Sequence, residues 1–224
     1  MVFVTGDTHI PIDIHKFTTR RFPEQQILSS DDFMVICGDF GGVWDGSNEE
    51  KYWQKWLNEK KFTTLFIDGN HENFHMLNEY PVSEKFGGKV HQLSDKIFHL
   101  MRGEIFTIDD RKIFCMGGAS SHDKEYRIPN VSWWEEELPS TKEYENALTN
   151  LDKHDWTVDF VFTHCAPKKT QALMANWYEN DPLTSFLQIV DDGLRYKKWY
   201  FGHYHRDEEV DVKHTALYQT IMQI

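Results

Sequence analysis

Cysteine is scarce in this chain: Cys37, Cys115 and Cys165 are the only three in 224 residues. An odd, widely spaced set in a sequence with 40% apolar residues excludes a disulfide-stapled scaffold and predicts reduced thiols in a cytoplasmic protein. Basic charge is also short, with 24 Lys and Arg against 36 Asp and Glu and a formal charge of -12. That balance disfavours extended nucleic-acid binding, while a nucleotide or short oligonucleotide stays open. Long apolar runs are missing too, since the longest of note, Phe33 to Cys37, falls far below the ~18 residues a membrane span requires. Met1 to Thr5 lacks the basic start of a signal peptide. No internal repeat, low-complexity tract or convincing linker interrupts the chain. The length therefore predicts one domain over residues 1–224.

What is present is a series of short β-type runs: Val2 to Thr5, Phe33 to Cys37, Thr63 to Ile67, Val158 to Phe162 and Lys198 to Phe201. Glu104 to Ile108 and Lys112 to Met116, around Asp109-Asp110-Arg111, predict a hairpin and so some antiparallel pairing. Helical patterns lie between. One begins near Asn48 and puts Tyr52, Trp53, Trp56 and Leu57 on one face. A second opens with a Ser140/Glu143 capping box and aligns Tyr144, Ala147, Leu148 and Leu151. A third starts at the Asp181 cap and Pro182, carries Leu183, Phe186, Leu187 and Val190, and stops near Gly193. Strands alternating with helices predict an α/β layered architecture. Residues 119 to 138 lack clean periodicity and predict a long loop or small insertion, of a length that is often functional.

The five runs named first each end in a short polar motif: Gly6-Asp7-Thr8-His9, Gly38-Asp39, Gly69-Asn70-His71-Glu72, His164 and Gly202-His203-Tyr204-His205. Strand ends on one edge of an α/β sheet are where ligand sites form. Carboxylate, imidazole and amide oxygen are ligands for divalent ions such as Mn, Fe or Zn, and the motifs lack the thiolates of a structural zinc site. In Asp7-Thr8-His9 and His203-Tyr204-His205, an extended backbone would point residues two apart the same way. The glycines at 6, 38, 69 and 202 let the chain turn beside a crowded site. Each motif alone is weak, because a lone Gly-Asp is usually a turn and a lone His usually packs. Five in order, each behind a β-type run, predict a metal site. The remaining seven histidines, His15, His75, His91, His99, His122, His154 and His214, receive no role.

This series resembles the calcineurin-like metallophosphoesterase superfamily over residues 6 to 205. The resemblance implies two mixed sheets packed as a sandwich with helices outside and the site over the strand ends. It further implies that Asp7, His9 and His205 hold one divalent metal, that Asn70, His164 and His203 hold a second, and that Asp39 bridges them. The expected cofactor is a pair of divalent ions, manganese ahead of iron, zinc, nickel or magnesium. Two cations about 3.5 to 4 Å apart can share a hydroxide, aim it at phosphorus and bind the phosphoryl oxygens. No Ser or Cys nucleophile is then required, and Cys37 and Cys165 read as fillers of small buried spaces. His71, next to Asn70, is the candidate to protonate or stabilise the leaving oxygen.

Protein serine/threonine phosphatases and symmetrical dinucleoside tetraphosphate hydrolases carry an acidic residue and an arginine where this chain has Gly42 and Val43. A replacement phosphate contact is sought in Arg127, or Lys124, of the insertion, and Asp45 or Glu72 is a candidate to orient His71. Trp44, Trp133, Trp134 and Trp177 are candidates to stack on a base, against a packing role for most of them. The expected function is hydrolysis of a small phosphate mono- or diester, possible nucleotides included, with no membrane partner. A protein phosphatase, a nuclease and a non-catalytic scaffold are the competing readings.

Overall fold

The computed structural model describes residues 1–224. Strands β1 (Val2–Thr5), β2 (Phe33–Cys37) and β3 (Thr63–Ile67) lie side by side in parallel. The sheet continues through β6 (Ile97–Leu100), parallel to β3, to the antiparallel β5 (Gly88–Gln92) and β4 (Val82–Lys85), while β13 (Met222–Gln223) pairs antiparallel with β1. A second sheet has the order β11 (Glu208–Glu209), β12 (His214–Ala216), β10 (Lys198–Phe201), β9 (Phe160–Thr163), β8 (Arg111–Met116) and β7 (Ile105–Ile108). Its strands β8, β9, β10 and β12 are parallel. Residues 1–224 thus form an α/β fold of two mixed sheets with helices, and no helix is long and apolar enough to cross a membrane.

Parallel neighbours require crossover connections, and α-helices lie in several of them. α1 (Asn48–Asn58) joins β2 to β3, α3 (Thr141–Lys153) joins β8 to β9, and α4 (Lys168–Met174) and α5 (Pro182–Gly193) join β9 to β10; the one-turn α2 (Phe74–Leu77) follows β3. Their starts are chemically specified. Ser47 accepts from the Glu50 amide at α1, and Ser140/Glu143 and Asp181/Thr184 form reciprocal capping boxes at α3 and α5.

Alternate residues of each central strand face different cores. Val2, Val4, Val35, Cys37, Leu65 and Ile67 of one sheet meet Ile113, Cys115, Phe162 and Tyr200 of the other in a shared core. Phe3, Met34, Ile36 and Phe66 face outward to Leu57, Phe17 and Phe62. Phe114, Val161, Trp199 and Phe201 face outward to α3 and α5 through Ala147, Leu151, Leu183 and Leu187. Burial on both faces explains why these strands read as unbroken apolar runs.

The expected elements occur with small shifts. Strand β9 begins at Phe160 rather than Val158, because Asp159 instead accepts from the Lys112 amide and pairs with Lys197. The hairpin turn is Asp109-Asp110, both left-handed at φ 50° and 61°, and Arg111 already belongs to β8. Tyr52 and Leu148 are exposed, so the buried stripes of α1 and α3 are narrower than their spacing predicts.

Beside β3, Asp68 is almost fully buried and binds Arg102 through Nε at 2.8 Å and Nη2 at 2.5 Å, and His99 Nε2 at 3.0 Å. Because His99 donates from Nε2, its Nδ1 accepts from His91 Nδ1 at 3.0 Å. Burial raises the Asp68 carboxyl, but Arg102 and His99 outweigh it and hold the group below its ordinary range. Replacing Arg102 with Leu leaves that carboxylate buried without its cation and is expected to cost about 3–5 kcal/mol in denaturant unfolding. Burial, with His99 adding to it, lowers His91 to about 4. An unfolded histidine titrates near 6.5, so between these values the unfolded chain takes a proton that the native chain refuses. The contribution of His91 is therefore complete above about pH 6.5 and declines toward pH 4. His91→Gln should flatten that part of the stability profile, and an unchanged slope would remove His91 as its source.

Candidate metal centre

All five motifs leave the C-terminal ends of parallel strands, β1, β2 and β3 in one sheet and β9 and β10 in the other. Packing the two sheets face to face therefore brings the motifs to one edge. Where the chain crosses itself there, side chains yield to glycine. A Cβ on Gly69 would lie 2.1 Å from Asp39 Oδ1, and one on Gly202 would lie 2.2 Å from Asp7 Oδ1.

The motif backbones are not extended. His9, Asp39, His203 and His205 have φ of 34°, 46°, 68° and 50°, so left-handed turns, rather than strand alternation, aim these side chains. Non-glycine residues hold such conformations only when their surroundings over-determine them, and they cluster at functional sites.

Asp7, His9, Asp39 and His205 bring one ligand atom each to within 4.8 Å of one another. Asp7 accepts the His203 amide on Oδ1, while its Oδ2 is fully buried without a hydrogen-bond partner. His205 Nε2 is 3.1 Å from that Oδ2 but out of hydrogen-bonding geometry. His9 Nε2 lies 3.1 Å from Asp39 Oδ2, and its Nδ1 is held by Asp13 Oδ2 at 2.9 Å. A carboxylate behind an imidazole is a common support for a metal-binding histidine.

On the other side, His164 gives Nδ1–H to the Cys37 carbonyl at 2.8 Å, which turns Nε2 toward Asn70 Oδ1 at 3.2 Å and Asp39 Oδ1 at 3.3 Å. The His203 ring lies 5.0 Å from that of His164. The Asn70 amide is oriented by donation to Ser121 Oγ at 3.2 Å, and Ser121 in turn binds the fully buried Glu137 through both Oγ and N at 2.9 Å. Three electron-pair atoms, His164 Nε2, Asn70 Oδ1 and Asp39 Oδ1, thus face one another. Only a proton or a cation relieves such an arrangement. Burial lowers the proton affinity of His164, yet the Asp39 charge prevails and pushes it up to about 10. His203, by contrast, falls to about 3 through burial and the neighbouring His164. The buried, unpartnered Asp7 oxygen and this convergence of acceptors fit divalent cations chemically.

The expected site residues therefore meet at one edge. His71 sends its amide to Asp39 Oδ1 at 2.8 Å, and its ring lies 5.5 Å from that of His9. Burial, with Arg127 adding to it, lowers the His71 proton affinity. Arg127 reaches the centre from residues 119–138, a stretch that is irregular apart from two short 3-10 turns. Its Nη2 is 3.4 Å from His71 Nε2, and its Nε is 2.7 Å from Asp123. These residues, with Asn70, His203 and His205, line a cavity of about 220 Å³. Neither residue considered for orienting His71 does so: Glu72 accepts the Phe40 and Gly41 amides, and Asp45 accepts from Ser47. Lys124 lies over the Trp133 ring instead. Trp134 is buried against Trp44, whereas Trp177 is 69% exposed.

Sequence patterns missed several supports. Asp13 behind His9 and the Ser121–Glu137 pair behind Asn70 carry no local motif. Lys16 is buried and donates to the carbonyls of Gly6, Asp7 and Tyr218, and burial lowers it to about 8. His122, given no role from sequence, lines the cavity.

No curated protein matches the chain in sequence. A model of the calcineurin-like phosphoesterase family matches residues 1–207, nearly the whole chain, and the protein therefore belongs to that family of metal-dependent phosphoesterases.

Proposed function

We propose that this protein is a dinuclear metal-dependent phosphoesterase that hydrolyses a small phosphate mono- or diester. Asp39 carries the reading, because its Oδ2 is 3.1 Å from His9 Nε2 and its Oδ1 is 3.3 Å from His164 Nε2, so one carboxylate reaches both donor sets. Asp7, His9 and His205 would hold one ion and Asn70, His164 and His203 the other, with Asp39 between them. A mixture of oxygen and imidazole donors suits divalent ions such as manganese, iron, zinc or nickel, and manganese is the ion we take first, with magnesium as a further candidate. The ions would supply Lewis acidity toward phosphoryl oxygens and a water acidified to near neutrality.

The chain's own residues do the rest. The planar guanidinium of Arg127 suits two phosphoryl oxygens at once. In its present arrangement it donates to His71 Nε2. A phosphate entering the cavity competes for those N–H groups and frees that nitrogen, and its negative charge raises the proton affinity of His71. His71 then protonates the leaving oxygen. A long nucleic acid is a poorer substrate for a chain with a formal charge of -12. Three buried free thiols accord with a reducing cytoplasm.

Calorimetric titration with Mn²⁺ is expected to saturate at two ions per chain and to weaken at both sites in Asp39→Asn; one ion or none bound to the wild type would end the dinuclear reading. His71→Ala should keep both ions and lose about 10²–10⁴ in kcat on mono- or diester substrates. Near wild-type turnover of an ester with a poor leaving group would remove His71 from its role. A chain that hydrolyses neither ester class with Mn, Mg, Ni or Zn, yet forms a stable protein complex, is a scaffold.

A further inference from the structure

A cavity of about 330 Å³ opens beside the candidate metal centre and shares Ser121, His122 and His203 with the smaller phosphate-sized one. It is large enough for a small organic ligand. Its far wall is the α4–α5 connection, Trp177 to Asp181, which is tied down at several points. Gln171 donates to the Glu179 carbonyl at 2.8 Å, Tyr204 donates to Gln171 at 2.8 Å, and Asp181 caps α5 through the Thr184 amide at 2.7 Å. Tyr178 packs edge-on against Tyr204 with centroids 4.9 Å apart, and Trp177 stands beside it, 69% exposed.

The lining charge is one-sided. Glu179 and Asp181 are among its lining residues, and no Lys or Arg is. Of the residues lining the two cavities, the one Lys or Arg is Arg127, on the phosphate side. A second phosphate or carboxylate on the substrate would therefore meet repulsion, whereas an uncharged group rich in hydroxyls and amides would find polar partners. An exposed indole offers a flat face on which an aromatic base can stack.

On the phosphoesterase reading above, we propose that this cavity is the subsite for the alcohol part of the ester, and that it takes a nucleoside, with the base on Trp177 and no negative charge beyond the phosphoryl group being cleaved. The phosphoryl group would lie in the smaller cavity, and the sugar would span the shared rim of Ser121, His122 and His203.

Two measurements on the full chain test this. In the first, adenosine, which carries no phosphate, is titrated into wild type and Trp177→Ala, both loaded with diamagnetic Mg²⁺ or Zn²⁺, while the indole N–H signals are followed by NMR. Wild type should bind, with the Trp177 signal shifting, and the variant should bind about tenfold more weakly, as loss of one stacking platform implies. Absence of binding to wild type, or equal binding to both proteins, overturns the subsite. In the second, Mn-loaded proteins are assayed on adenosine 5′-monophosphate, adenosine 3′,5′-bisphosphate and methyl phosphate. Trp177→Ala should lower kcat/KM about tenfold for the monophosphate and leave methyl phosphate unchanged. Glu179→Lys should narrow the preference for the monophosphate over the bisphosphate. Equal effects on the monophosphate and methyl phosphate, or a wild-type preference for the bisphosphate, would refute the proposal. Hydrolysis of none of the three esters, nor of a diester, with any of Mn, Mg, Ni or Zn defeats the phosphoesterase reading, and the adenosine titration still decides the subsite.

Discussion

A buried carboxylate shared by two groups of electron-pair donors is the constraint on which the rest of this molecule turns. Asp39 is 2% exposed, receives the His71 amide, and faces His9 on one oxygen and His164 on the other. Asp7, also buried, adds an oxygen without a hydrogen bond. Acidic and imidazole groups this close oppose one another electrostatically unless protons or cations intervene. The fold tolerates the concentration because each donor is gripped from behind: His9 by Asp13, His164 by the Cys37 carbonyl, and Asn70 by Ser121 and Glu137. These grips fix ring orientation, and for His9 and His164 they leave one nitrogen facing inward.

The same constraint shapes the backbone. Ligand-bearing turns adopt left-handed conformations at His9, Asp39, His203 and His205, and the chain passes close enough behind them to require glycine at 69 and 202. Lys16 answers the electrostatics from below. Its buried ammonium collects the Gly6, Asp7 and Tyr218 carbonyls and ties the end of β1 to the C-terminal segment. That segment also returns Tyr218 to stack on His205 and to donate to Asp13.

Residues 119–138 link site and fold. Glu137 anchors Ser121, and Arg102 joins Asp68 to the Glu136 and Glu137 carbonyls, so the floor of the Asn70 motif and the base of the loop share one buried polar network. Such networks stabilise only when every member is satisfied. With its base held there, the loop projects Arg127 over His71.

Local chemistry in the chain determined much of this. The central strands are buried on both faces and so appear as apolar runs, the helix starts are marked by Ser47, Ser140 and Asp181, and each metal-type motif follows its strand directly. Elements without such signals were silent: β4 is an exposed edge strand reading Val-Ser-Glu-Lys, and α4 has no side-chain cap. Tertiary structure alone decided that His122 lines the cavity and that Arg127 rather than Lys124 does so, that Asp13 and Glu137 support ligands, that Glu72 serves backbone amides rather than His71, and that left-handed turns aim His9, His203 and His205. The division has a physical cause. Propensity, capping and periodicity act between near neighbours in the chain, whereas those contacts arise only after two sheets pack and bring together side chains that no local pattern relates.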